Sequence, residues 1–160
     1  MKKLLILSIP AALLWCTACK KSSSLASGTS VQQNNNADSF VTLTAKINGT
    51  SWKADSVYAY SVRSSANDSG VVSLMITAVK KNSGTPQTLI LNITNYRAPL
   101  TYPINPPVNT ATYYIGNARH YATTGEIVVT SRVDRSLKGT FHFTADSISV
   151  ESGEFNVYLP

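Results

Sequence analysis

Cysteine is nearly absent from this chain. Of 160 residues only Cys16 and Cys19 are cysteine, and both lie at the extreme N-terminal end. Everything downstream therefore lacks the material for a disulfide framework, a thiolate metal site or a thiol nucleophile. Acids are scarce as well, eight Asp and Glu against fourteen Lys and Arg. From Phe40 onward they are Asp55, Asp68, Glu126, Asp134, Asp146, Glu151 and Glu154, mostly in turn-like contexts. Solvated carboxylates are the default there, and nothing in their spacing brings two together as a glycoside-cleaving pair. His120 and His142 are the only histidines. A zinc site needs three or four ligands, and neither H-E-x-x-H nor a G-x-S-x-G elbow occurs. No window carries a convincing helical period, and no apolar run approaches the ~20 residues of a membrane-spanning helix. These absences lead to the expectation of a non-enzymatic, all-β protein with no metal and no cofactor.

What is present begins with an address. Met1, Lys2 and Lys3 precede an apolar stretch from Leu4 to Trp15, followed by Thr17, Ala18 and Cys19 and then an abruptly polar tract. A basic start, a short apolar core and small residues before a cut are the three regions of a secretory signal peptide. Trp15 is too bulky to precede a cleavage site at Cys16, whereas Thr17 and Ala18 suit one at Cys19. The stretch resembles a bacterial lipobox, with Cys16 standing where Leu is usual. That resemblance implies that Cys19 becomes the mature N-terminus and carries a diacylglyceryl thioether. Two or more acyl chains make such attachment effectively permanent.

The organisation expected is a signal peptide over 1–18, a lipidated cysteine with a polar tether over 19–39, and one domain over 40–160. The Ser-, Asn- and Gln-rich tether cannot bury enough apolar surface to fold. For about 20 residues its root-mean-square reach is roughly 25 Å. The formal net charge of +6 falls once Lys2 and Lys3 are removed, and the remaining basic residues are scattered. Nucleic-acid binding, which wants a clustered basic face, is not expected.

Within the domain the pattern has period two. Val41, Leu43, Ala45 and Ile47 alternate with polar residues, and Asn48-Gly49 supplies the turn of a hairpin whose return carries Trp52. Further strands are predicted at Ser56 to Arg63, Val71 to Lys80, Gln87 to Tyr96, Ala111 to Ile115, Glu126 to Arg132, Gly139 to Ala145 and Gly153 to Leu159. Short ones are predicted at His120 to Thr123 and Ser147 to Val150. Turns are predicted at 67–70, 82–84, Thr124-Gly125 and Glu151-Ser152-Gly153, where Gly and small polar residues cluster. Leu137, Phe141, Phe143 and Ala145, with Phe155, Val157 and Leu159, form the clearest inward faces. Pro99, Pro103, Pro106 and Pro107 mark Ala98 to Thr110 as an edge segment or a connection between sheets. The fold expected is a single antiparallel β-sandwich, jelly-roll-like, with a lipocalin-like β-barrel as the alternative.

Three stretches carry a wider resemblance. "FVTLTAKINGTSWKAD", "GEIVVTSRVD" and "LKGTFHFTADSISVESGEFNV" are similar to a family of small uncharacterised Bacteroidota lipoproteins, lipobox-anchored all-β domains. The resemblance implies outer-membrane attachment but brings no catalytic or ligand residues with it. Surface-exported members of that group often have acids after the lipid cysteine; Lys20 and Lys21 here favour the periplasmic face over the cell surface. Asp55-Ser56-Val57 and Asp146-Ser147-Ile148 resemble the O-glycosylation acceptor of the same bacteria, making Ser56 and Ser147 candidate sites.

The remaining candidate surface is aromatic and basic: Tyr96, Arg97, Tyr102, Tyr113, Tyr114, Arg119 and Tyr121. Flat rings with polar neighbours on loops can bind a glycan or an envelope protein. Strand propensity alone also accounts for many tyrosines, and adjacent Tyr113 and Tyr114 must face opposite sides. The sequence thus reads as a monomeric, lipid-anchored binding or structural module. A carbohydrate-active hydrolase and a barrel-type carrier of a small apolar ligand are the alternatives.

Overall fold

The computed structural model describes residues 41–63, 72–82, 84–97 and 99–160. Cys19, the signal and tether segments and the turn expected at 67–70 lie outside the described residues. Eleven strands follow in order: β1 (Thr42–Ile47), β2 (Thr50–Lys53), β3 (Ser56–Arg63), β4 (Val72–Lys80), β5 (Gln87–Ile93), β6 (Leu100–Pro103), β7 (Asn109–Ile115), β8 (Ala118–Tyr121), β9 (Thr124–Val133), β10 (Ser136–Ala145) and β11 (Ile148–Tyr158). They form a six-stranded sheet, β2-β1-β11-β10-β9-β6, and a five-stranded sheet, β3-β4-β5-β7-β8. Every ladder is antiparallel. Each sheet keeps two edges, so the architecture is a sandwich and the closed barrel is ruled out.

The core lies between the sheets because period-two alternation commits one face of each strand to it. Leu74, Ile76 and Ala78 of β4 meet Leu89 and Leu91 of β5, all almost inaccessible to solvent. Opposite them lie the inward faces expected on β10 and β11: Leu137, Phe141, Phe143, Ala145, Phe155, Val157 and Leu159 are all buried. Asn48 (φ 48°) and Gly49 (φ 77°) make the β1–β2 turn with two left-handed residues, as the Asn-Gly pair requires.

Two expected turns are strand instead. Glu151-Ser152-Gly153 lies inside β11, which therefore absorbs the separate short strand expected at Ser147 to Val150. Its register slips by one residue against both neighbours, between Thr44 and Lys46 on β1 and between Phe141 and Phe143 on β10. Ser152 adopts φ 47°, so the same left-handed chemistry that makes a turn here makes a β-bulge. Thr124-Gly125 begins β9, and Gly125 sits opposite Phe143.

The proline-rich segment does connect the sheets, and it also contributes a strand. The chain leaves β5, forms β6 on the free side of β9 and returns to the other sheet as β7. Pro103 ends that edge strand, a position that tolerates a residue without an N–H. Asn109 fastens the excursion: its Oδ1 accepts from Thr94 N (3.2 Å) and its Nδ2 donates to Pro103 O (3.0 Å). At the opposite side the chain changes sheets within two residues, Ala54 N donating to Leu43 O and Asp55 N to Val79 O. Trp52 Nε1 donates to Gln87 Oε1 at 2.6 Å, tying β2 across to β5.

Three phenylalanines face glycines. Gly139 pairs with Phe155 and Gly153 with Phe141 across β10–β11, and the rings of Phe141 and Phe155 stack 6.5 Å apart. A Cβ at Gly153 would lie 2.5 Å from the Phe141 ring, and its three nearest neighbours would all be atoms of that ring. One at Gly139 would lie 2.3 Å from Phe155 and also 2.2 Å from the Val128 carbonyl oxygen. Overpacking costs about 1–3 kcal/mol, so Gly139→Ala and Gly153→Ala should each destabilise by that order in urea unfolding. In a double-mutant cycle Phe141→Leu should recover much of the Gly153→Ala loss. Phe155→Leu should recover little of the Gly139→Ala loss, because the Val128 carbonyl stays in place; equal rescue in both cycles would refute this account.

Candidate functional site

The seven aromatic and basic residues separate into two groups. Tyr96 and Tyr102 are each 4 % exposed and Tyr113 2 %, so they belong to the core and not to a contact surface. Burial follows from register for Tyr113, which pairs with Leu89 on the inward face of the sheet. For Tyr96 and Tyr102 it follows from the β5–β6 crossing, which folds the two rings to within 6.1 Å of one another. The Tyr102 hydroxyl donates to the Arg97 carbonyl and accepts from the Arg97 N–H (2.6 Å). Arg97 itself is exposed. Arg132 lies over the Tyr96 ring, 5.8 Å from its centroid. These contacts stitch a connection; they do not present a ligand platform.

Tyr114, Arg119 and Tyr121 remain at the β7–β8 hairpin. The Arg119 guanidinium stands over both rings, 5.1 Å from Tyr114 and 5.4 Å from Tyr121, and donates from Nη1 to the Tyr121 hydroxyl at 2.5 Å. That bond and the electron-rich rings push the Arg119 pKa further up. Their side chains point outward, since Tyr114 pairs with Arg119 and with Thr88.

Following that outward face across the sheet reveals residues that sequence reasoning missed. β3 contributes Ser56, Tyr58, Tyr60 and Val62, opposite Val79, Thr77, Met75 and Ser73 of β4. β5 contributes Thr88, Ile90 and Asn92, opposite Tyr114, Thr112 and Thr110 of β7. Among these outward strand positions Arg119 is the one charged residue. The outward face of the six-stranded sheet differs: Lys46, Lys53, Glu126, Lys138, His142 and Glu154 interrupt it. Tyr58 and Tyr60 fall within the strand predicted at Ser56 to Arg63; the signal that could have found this face is the lack of charge at alternate positions in four strands at once.

An open groove of about 710 Å³ runs beside β2, lined by Trp52, Lys46, Lys53, Lys80, Asp55 and Glu154 among others. Its charges are of both signs, and the Asp55 carboxylate already accepts from the N–H groups of Lys81 (2.7 Å) and Asn82 (3.2 Å). His120, in the short strand expected from that position, lies in β8 with Nδ1 3.2 Å from Asp146 Oδ2, a partly exposed pair linking β8 to the β10–β11 turn. Such pairs contribute little to stability. His142 points outward from β10, exposed as expected. The two glycosylation candidates differ in access. The Ser56 hydroxyl is buried without a hydrogen-bond partner, whereas Ser147 is exposed in the β10–β11 turn beside Asp146 (φ 53°).

Fold and surface together define a two-sheet antiparallel β-sandwich with one charged and one nearly uncharged outer face. Residues 40–158 match the family model described as "Domain of unknown function (DUF6252)", and the chain belongs to that family. No curated protein matches the chain. No solved structure matches it either.

The buried tyrosines make a titration test. Burial raises the pKa of Tyr96, Tyr102 and Tyr113 above the ordinary 10.0; Arg132 partly opposes this at Tyr96, and Arg97 at Tyr102. Above pH 10 the unfolded chain ionises these phenols while the folded chain keeps them protonated. The folded state then binds more protons, and stability falls as pH rises. Denaturant midpoints should therefore decline on the alkaline side of about pH 10, and Tyr113→Phe should flatten that decline. An unchanged slope in Tyr113→Phe would show that its hydroxyl is not buried as described.

Proposed function

We propose that this protein is a lipid-anchored envelope protein of the Bacteroidota that binds through the outer face of its β3-β4-β5-β7-β8 sheet and performs no catalysis. One observation carries the reading: Arg119 is the lone charge among the outward positions of that sheet's described strands. Surfaces that stay in water ordinarily alternate charges as the other sheet does. A flat face of tyrosine, threonine and short aliphatic side chains is suited to a partner that is itself uncharged, such as a neutral glycan or an apolar patch on an envelope protein. Aromatic side chains are enriched where proteins bind, because one end is apolar and the other polar.

The anchor is Cys19, acylated after removal of residues 1–18, and Lys20 with Lys21 favours the periplasmic leaflet of the outer membrane. Of the two glycosylation motifs, Ser147 is the one a transferase could reach on the folded domain, since the Ser56 hydroxyl is enclosed.

Intact mass of detergent-extracted protein should show residue 19 as the acylated N-terminus. Cys19→Ser should make the chain extractable by repeated detergent-free washing; a variant that still needs detergent for release would contradict the anchor. The freed Cys19→Ser chain should still co-sediment with isolated envelope, and Thr88→Glu or Tyr121→Ala should weaken that association about tenfold, equivalent to ~1.4 kcal/mol. Lys138→Glu, on the other outer face, should not. Equal retention of all three would sink the proposed surface.

A further inference from the structure

The six-stranded sheet has two unlike ends. At one of them β11 finishes, the Asp134-Arg135 turn joins β9 to β10, and β1 begins with Thr42 opposite Asn156. β6 starts towards the same end, since Leu100 pairs with Val129 and Pro103 with Glu126. Arg97 is brought there too, because it follows Tyr96 directly and Arg132 stands over the Tyr96 ring. Arg97, Arg132 and Arg135 are all exposed at this end, where Asp134 is the acid among the described residues. The opposite end has the reverse balance: Glu126, Asp146 and Glu151 outnumber Lys46 among the described residues there.

Large apolar side chains are exposed at the arginine-bearing end as well. Val133, Ser136 and Tyr158 make the last cross-strand row before the turn, and residues paired in this way share a face of the sheet. Val133 is 65 % exposed, Leu100 at the start of β6 55 % and Tyr158 48 %. Aliphatic and tyrosine side chains beside arginine suit a bilayer interface, where the apolar part enters the headgroup boundary and the guanidinium stays with the phosphates. We propose that this end of the domain is a bilayer-docking tip, seated on anionic lipid headgroups through Arg97, Arg132 and Arg135, with Val133, Tyr158 and Leu100 at the interface.

Two observations select a bilayer over another partner. The first is the place where the anchor segment joins: β1 begins at this end, so an acylated Cys19 beyond residues 19–39 holds the basic end, and not the acidic one, towards its membrane. The second is charge complementarity, because arginines near an anionic leaflet are attracted to it while the acidic end is turned away. The inference rests on the acylated anchor of the proposed function and adds an orientation to it. That orientation leaves the β7–β8 hairpin free for a partner, since His120 of β8 lies beside Asp146 at the opposite end. Anchoring also raises the local concentration of the tip at the bilayer, so a modest patch suffices.

With Cys16 removed and Cys19 acylated the chain has no free thiol, so one introduced cysteine takes a single label. Full-length lipidated chain carrying Val133→Cys, labelled with a fluorophore and reconstituted in vesicles of phosphatidylcholine and phosphatidylglycerol, should lose most of its emission to spin-labelled lipid. Ser147→Cys, in the β10–β11 turn at the opposite end, should lose little. Combining Arg97→Glu with Arg135→Glu, both on exposed positions, should remove the difference between the two labels. A second measurement stands apart from acylation. The unacylated Cys19→Ser chain should bind the same vesicles, which hold no glycan or protein, about tenfold more tightly than its form with both arginines reversed. Lys46→Glu, the same charge change at the acidic end, should leave that affinity unaltered. Equal quenching of the two labels in lipidated chain would overturn the tip, and so would vesicle affinity that the arginine reversals leave intact or that Lys46→Glu lowers as much. A second label, on residue 19, would instead report a failed anchor, and the Cys19→Ser comparison would still decide the tip.

Discussion

The geometry of this domain depends on glycine lying opposite phenylalanine. On β10 and β11 the pairs are reciprocal: Gly139 faces Phe155 and Phe141 faces Gly153. Each ring occupies the space a Cβ would need on the other strand, and the two rings stack over the gap. Gly125 lies opposite Phe143 at the next ladder, but there it is backbone that leaves no room: a Cβ would come within 2.2 Å of the His142 carbonyl oxygen and 2.6 Å of the Phe143 Cα. Phe141 and Phe143 then stack 6.4 Å apart. Close packing forbids a void of methyl size as strictly as an overlap, so each Phe needs its Gly and each Gly its Phe. The three central strands are thereby fixed in register. The bulge at Ser152 shifts the register by one, so that Val150 lies opposite Phe143 while Gly153 keeps its place opposite Phe141.

Much of this was legible in the sequence, because burial on one face of a strand imposes period two. β1, β3, β4, β5, β7, β9 and β10 lie close to their expected bounds, and every predicted inward residue on β10 and β11 is buried. The Asn48-Gly49 turn was legible because few residues other than Asn and Gly adopt φ > 0 without strain. What was not legible is what local chemistry shares between alternatives. Ser152 and Gly153 satisfy a turn and a bulge equally, and the choice between them lies in the register with Phe141, a residue more than ten positions away. Thr124-Gly125 looked like a turn because its glycine is required by a neighbouring strand and not by its own backbone reversal.

The candidate site was half legible for the same reason. Alternation shows that Tyr113 and Tyr114 face opposite ways, but not which one faces the core; the pairing with Leu89 decides that. Tyr96 and Tyr102 flank a proline-rich crossing, where periodicity carries no information, and only the folded excursion through β6 brings their rings together. Tyr58 and Tyr60 were overlooked because a tyrosine in a strand is ordinary. Their meaning comes from the charge-free positions on β4, β5 and β7 that share their face, an observation that exists only once strand order is known.

That difference between the outer faces bears on where function can reside. The interior is committed: the inward faces of both sheets form one apolar cluster with Phe141, Phe143 and Phe155 within it, and the sheets do not close into a barrel around a ligand. Three edge strands, β2, β6 and β8, are four residues long and carry Lys53, Pro103 and Arg119, and the chain changes sheets at Ala54-Asp55 and through β6. Charged residues keep the outer face of the six-stranded sheet in water at little cost. A face that forgoes charge loses solubility for no gain in core packing, because its residues contribute nothing between the sheets. On the proposed reading, the gain comes from an uncharged partner held on this surface.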